Sequence, residues 1–345
     1  MHEINSWLVG GGFAVGAVFA IALQRFRFCL VAAISYFLLI KDTRQVVAFA
    51  AALLVAISGT QLLEITGIVA IADSAYRNST LDWFGAAVGG LFFGMGAALA
   101  GGCVARTLVR TMEGSIHSLL VFVSFALVAA IVQFGFLESF RIALTHASAI
   151  ELTTDAGIAS ILSLPPWFVL AVVVTGLLFF IYKSWQRSPD KSMLAVGCMV
   201  GGLVVFSWYI TGVLAQDEFM PLRPSAITVS GPLSRFGYYL ISGRLPTLSF
   251  AIAFVIGTAV FSLLLALLNR EFKITAPAKG MVKVALLGGA LMGSGAMLAY
   301  GCNIGQGMSG ISTLSLESLI AVVGMVVGVS AMTRWLEKRD EKRAI

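Results

Sequence analysis

Apolar residues in this chain gather into long stretches with few charges, at 46–72, 84–100, 119–136, 167–182, 248–268, 284–298 and 319–332. Each is near the roughly twenty residues that carry an α-helix across a bilayer. Polar breaks divide the chain into about nine spans, at 8–24, 45–71, 84–102, 117–136, 166–182, 193–214, 247–268, 281–300 and 316–333. The fold class that follows is an all-α polytopic membrane protein, with residues 1–345 forming a single transmembrane domain.

Three further stretches, 28–40, 221–245 and 303–314, are too short or too broken to be full spans. Pro221, Pro224, Pro232 and Pro246 punctuate or flank the second, and Gly305, Gly307 and Gly310 the third. Non-helical backbone at membrane depth persists only where it is buried in protein or lines a wet cavity. These stretches are therefore expected to be re-entrant half-helices. Their N-terminal amides would supply partial positive charge at the centre of the protein, which suits the path of an anion.

The sequence also repeats itself. GGLFFGMGAALAGGC at 89–103 matches GGALMGSGAMLAYGC at 288–302 without a gap, and each copy ends in a Gly-Cys pair. Such a repeat in an apolar chain is the mark of a transporter built as two halves around a central site. The predicted halves are 1–136 and 193–333, joined by a connecting span at 166–182. Four spans before the connecting span and four after it make equivalent segments run in opposite directions, so the expected repeat is of inverted topology.

Composition agrees with a membrane protein: 59% of residues are hydrophobic, 12% are charged and mean hydropathy is +0.94. A soluble domain would carry about twice that charged fraction. The net charge of +6 is explained by basic residues that collect beside spans on the cytoplasmic side, and gives no reason to expect nucleic acid. That bias orients the chain. Arg25, Arg27, Lys41, Arg44, Arg106, Arg110, Lys183, Arg187, Lys191, Arg270, Lys273, Lys279, Lys283 and the basic C-terminus fall on one side. Only Arg77, Arg141, Arg223, Arg235 and Arg244 fall on the other, so the N-terminus is expected outside and the C-terminus in the cytoplasm. The start, MHEINSWLVGGG, has no basic residue before its apolar run and reads as a retained span.

Cys29, Cys103, Cys198 and Cys302 form no CxxC, so a disulfide framework is not expected. A lone thiol in an apolar helix is ordinarily a small hydrophobe. The repeat, however, places Cys103 and Cys302 equivalently at the ends of glycine-lined helices, behind Gly102 and Gly301. Close helix packing accounts for the glycines but not for the paired thiols. Cys29 follows the first span beside a basic pair, close to the cytoplasmic face in this topology, whereas Cys198 belongs to no repeated pattern. Weak S–H donors suit a soft anion with a terminal sulfur, and Asn303 and Gln306 beside Cys302 offer amides to its oxygens. Soft metals also favour thiolates, but His2, His117 and His146 are scattered. Arg106 and Arg110 stand where they would draw an anion inward or simply anchor the cytoplasmic face. No metal, cofactor or nucleotide site is expected.

Three motifs together, GCNIGQGMSG at 301–310, AGGC at 100–103 with RTMEGS at 110–115, and RFRFC at 25–29, resemble the YeeE/YedE sulfur-transport family across nearly the whole chain. The resemblance implies an hourglass-like, all-helical fold that takes up thiosulfate across the bacterial inner membrane, with relatives tied to selenium metabolism. It implies three cysteines along the path, which by motif are Cys29, Cys103 and Cys302. It also implies a small soluble sulfur-carrier protein of the TusA type at the cytoplasmic side. Val104, Ala105 and Arg106 after the first Gly-Cys depart from the GCNIGQG pattern, which predicts a narrower or differently charged cytoplasmic half.

The sequence thus leads to a thiosulfate permease that performs no chemistry on its substrate. Four alternatives stay open: an integral-membrane enzyme passing sulfur to a carrier through persulfides, a transporter of a selenium or other sulfur oxyanion, a soft-metal channel, and a structural membrane subunit.

Overall fold

The computed structural model describes residues 2–152, 154–216, 222–243, 248–278 and 280–344. Pro221, Arg244, Pro246 and Lys279 lie outside the described residues. The helices, in order, are α1 (His2–Arg25), α2 (Leu30–Ile40), α3 (Arg44–Ile65), α4 (Trp83–Ala100), α5 (Val104–Met112), α6 (Ile116–Phe134) and α7 (Glu138–Ser148). They continue as α8 (Ile158–Ile161), α9 (Pro166–Trp185), α10 (Lys191–Tyr209), α11 (Ser230–Ser242), α12 (Phe250–Leu268), α13 (Met281–Leu298) and α14 (Leu316–Ala344). Two π-helical segments, Ile210–Leu214 and Gly305–Gly310, extend α10 and precede α14. Two-residue strands, Thr80–Leu81 and Ile150–Glu151, pair antiparallel. Among the described residues nine segments are long and apolar enough to span a membrane. The chain is an all-α polytopic membrane protein.

Helix limits follow from local chemistry. Asp82 caps α4 by accepting the Gly85 amide at 2.8 Å. The same helix stops at Gly101, whose φ of 77° suits glycine. Pro165 and Pro166 open α9, where a missing amide costs nothing. The expected span at 45–71 ends earlier, at Ile65, because Gly67 turns the chain out at φ 71°. The connection between α6 and α9 holds α7 and α8, which carry too few apolar residues to be read from hydropathy.

The principal packing is between helices distant in sequence: α1 on α12, α3 on α10, α4 on α13 and α14, and α6 on α13. The α4–α13 contact is self-complementary. A Cβ at Gly96 would lie 2.6 Å from Met292 N and 2.7 Å from Gly288 O, and one at Gly89 would lie 2.7 Å from Gly295 O. Residue 89 meets 295 while 96 meets 288, so the two helices run antiparallel with backbones touching. In contrast, α9 lies at the margin on α3, with Trp167, Phe179 and Tyr182 exposed. Arg77 ties the loop after α3 down. It is 8% exposed, pairs with Glu64 at 2.7 Å and also pairs with Asp155.

Candidate functional site

Two hollows open at opposite ends of the bundle. The first, of about 650 Å³, is lined by Leu8 near the start of α1, Asp82 before α4, Phe250 at the start of α12 and Tyr300 past α13. The second, of about 730 Å³, is lined by Leu23 and Arg25 at the end of α1, Arg110 in α5, and Leu265 and Asn269 at the end of α12. At 1.5 Å per residue, Leu8 and Leu23 are about 22 Å apart along α1. Between the hollows lies a packed layer containing Cys29, Cys103 and Cys302, exposed by 2%, 0% and 0%.

One backbone device delivers all three thiols. Arg27, Gly101 and Tyr300, each two residues before a cysteine, take left-handed conformations with φ of 54°, 77° and 51°. The preceding helix is closed by a reversed bond: Phe28 N donates to Ala22 O at 3.2 Å, Gly102 N to Ala97 O at 2.9 Å, and Gly301 N to Ala296 O at 2.8 Å. The cysteine carbonyls then accept the first bonds of the next segment, from Ala33 N at 3.0 Å, Thr107 N at 2.9 Å and Gln306 N at 2.8 Å. Each cysteine is therefore the break between a long helix and the short segment that follows it, and the first-turn amides of the short segments converge on the thiol layer.

Cys29 Sγ donates to Cys103 Sγ at 3.6 Å. The sequence placed Cys29 near a membrane face; the helix break at Arg27 brings it to the centre instead. Phe28 and Phe49 stack at 5.7 Å beside the pair. Cys198 is exposed on α10, away from this layer.

The two amides expected beside Cys302 have different surroundings. Gln306 is braced at both ends, with Nε2 donating to Ala299 O at 2.7 Å and Oε1 accepting from Ser318 Oγ at 2.5 Å. It lines the first hollow as a fixed wall. Asn303 is 1% exposed, and neither its Oδ1 nor its Nδ2 meets a partner within the protein. The flanking glycines leave room for these groups. A Cβ at Gly301 would sit 2.9 Å from Gln306 Cγ, and one at Gly102 3.3 Å from Arg106 Cδ.

Between the expected spans 84–102 and 117–136 lies the short helix α5 (Val104–Met112). Val104 and Ala105 are wholly buried beneath Cys103, while Arg106 and Arg110 turn into the second hollow. Alternation of apolar and charged residues at helical spacing gives this segment two faces. Arg25 and Arg27 join them there, facing Glu113 and Glu271. Arg106 is steadied by Arg27 O at 3.3 Å. Burial pushes the Glu113 carboxyl up, against the pull of Arg110. Gln24 also lines this hollow, and its amide has no partner within the protein.

Sequence reasoning missed Tyr76, Trp208 and Thr228. Tyr76 lines the first hollow, its ring 6.2 Å from that of Trp208. Burial raises its phenol well above the usual range. Trp208 Nε1 donates to Ser312 Oγ at 3.1 Å, fixing the segment that follows Cys302. Thr228 stands against Gly305. One signal pointed to it: the offset carrying Cys103 onto Cys302 carries Cys29 onto Thr228.

Residues 25–331 match the family described as "Sulphur transport". The chain belongs to the sulphur-transport family. Among its relatives is a protein named "Thiosulfate transporter TsuA" from Escherichia coli (strain K12), 25% identical over 357 residues covering 98% of this chain and 97% of that one. Another "Thiosulfate transporter TsuA", from Spirochaeta thermophila, is 26% identical over 348 residues, covering 96% of this chain and all of its own. The resemblance stated from the motifs thus extends over nearly the whole length. The expectation of a transporter rather than an enzyme agrees with the sulphur-transport family and with both relatives' names.

Proposed function

We propose that this protein takes up thiosulfate across the bacterial inner membrane through a relay of Cys302, Cys103 and Cys29, flanked by Asn303. The observation that carries this reading is the buried Cys29–Cys103 thiol contact at 3.6 Å, set between two hollows with Cys302 in the same packed layer. Thiols are weak donors that desolvate cheaply, so an anion held by several of them is bound without being trapped. The converging amides of α2 and α5 supply positive potential without a fixed cation. Arginines of the second hollow receive the anion.

In this reading the first hollow faces outside and the second the cytoplasm, with the N-terminus out and the C-terminus in. The clustering of Arg25, Arg27, Arg106 and Arg110 at the second hollow supports that orientation. Residues 1–136 and 193–333 are inverted halves, supported by the antiparallel α4–α13 contact and the matching turns before Cys103 and Cys302. Exposed apolar residues of α9, the connecting span, face lipid. A soluble sulfur carrier of the TusA type collects sulfur at the second hollow.

Labelled-thiosulfate uptake tests the reading, in cells lacking other sulfur importers and with wild type and Cys302→Ala at matched expression. Uptake that the substitution abolishes is the expected result. Uptake that it leaves unchanged discards the relay, and no wild-type uptake discards thiosulfate. A persulfide trapped on Cys103 would favour a thiol enzyme instead.

A further inference from the structure

Asp82 and Glu317 meet at the wall of the first hollow, which both line. Asp82 is 6% exposed. Its Oδ1 is fully used, accepting the Gly85 amide at 2.8 Å and Ser148 Oγ at 3.1 Å. Its Oδ2 is buried with no partner in the protein. Glu317, in the first turn of α14, faces the carboxyl and the backbone amide of Asp82. Capping α4 needs one carboxylate oxygen, and Oδ1 provides it; the orphaned Oδ2 has no such role.

The basic residues nearby form no ion pair with either carboxyl among the described residues. Arg141 and His146 of α7, the helix whose Ser148 bonds Asp82, line the same hollow. Arg141 is committed to Tyr300, donating to its hydroxyl at 3.3 Å and lying 5.7 Å from its ring centre. Arg223 and Arg235 line the same hollow. Two ionised carboxylates beside each other in a hollow that admits an anion would repel one another and the anion. Burial pushes the Asp82 carboxyl up, in the direction of holding a proton.

We propose that Asp82 and Glu317 form a proton-binding site linked to the anion, so that the hollow takes its anion together with a proton. The proton comes from water in the hollow and settles on a carboxylate oxygen, Asp82 Oδ2 being the vacant one. This rests on the reading of the protein as a thiosulfate transporter. Linkage makes the effect reciprocal: protonation favours the anion, and the anion draws a proton from solution.

The test uses the full-length protein purified in detergent, titrated with thiosulfate near neutral pH by calorimetry in phosphate and in Tris buffer. Proton uptake makes the observed heat differ between buffers in proportion to their ionisation heats. The expected result is uptake of up to one proton per anion and binding that weakens by up to about tenfold per pH unit. Glu317→Gln is expected to abolish the buffer dependence, and Glu317→Asp to restore it. Thiosulfate binding with the same heat in both wild-type buffers overturns the proposal and leaves the transport reading standing. Absence of thiosulfate binding removes that reading, and the proposal falls with it. Should Glu317→Gln fail to elute as a folded species, the wild-type buffer comparison alone decides.

Discussion

Cys29 Sγ donates to Cys103 Sγ at 3.6 Å, although 74 residues separate them in the chain. Each thiol sits at the break between a long helix and the short one that follows it, so the contact joins two helix breaks rather than two unbroken spans. A relay needs such a junction: one thiol can release a soft anion only when the next is within reach of the same ligand.

Alanine in place of Cys29 or Cys103 removes the thiol donor altogether. One charge-assisted contact contributes about 1.5–3 kcal/mol, so each substitution is expected to slow labelled-thiosulfate uptake by about tenfold or more. Cys198→Ala is expected to leave uptake at the wild-type level, because Cys198 is exposed on α10. Equal losses from all three would mean that thiols matter for folding rather than for passage.

Asn303→Leu should separate stability from function. Both polar atoms of Asn303 are buried without a partner in the protein, a cost of about 1–3 kcal/mol per group that an apolar side chain of similar size does not carry. The variant is expected to unfold at a higher temperature in detergent while its uptake falls about tenfold or more. A lower unfolding temperature would place Asn303 in the structural framework instead.

Helix approach at Gly96 leaves no space for a side chain. A Cβ there would sit 2.6 Å from Met292 N, so Gly96→Ala must push α4 from α13 and is expected to cost about 1–3 kcal/mol. Gly202→Ala meets nothing within 4 Å and should be neutral or slightly stabilising. Thermal unfolding of the two purified variants side by side distinguishes packing from helix propensity.

Glu113, at the rim of the second hollow, gives stability a pH dependence. Burial raises its carboxyl above the ordinary value of 4.5. Above that pH the folded protein holds more protons than the unfolded chain, so stability falls as pH rises through the window between the two values. Melting temperatures measured from about pH 4.5 upward should decline more for wild type than for Glu113→Gln. Parallel declines would assign the dependence to other groups.

Hydropathy alone determined that the chain lies in a membrane and where most of its spans begin and end, because burial in lipid demands long apolar helices. The 89–103 and 288–302 repeat likewise marked Cys103 and Cys302 as equivalent positions. Which groups share the central layer was decided by tertiary structure. The helix break before Cys29 hinges on Arg27 at φ 54°, a conformation that nothing in an arginine announces and that only surrounding packing sustains. Tyr300 does the same before Cys302, at the position where the first repeat has Gly101. Gln306 and Asn303 look alike in sequence, yet contacts from Ala299 and Ser318 engage one amide and leave the other open. Likewise, Asp82 and Glu317 become neighbours only because α4 and α14 pack side by side. Local pattern fixes the helices, and long-range packing chooses which of their ends face one another.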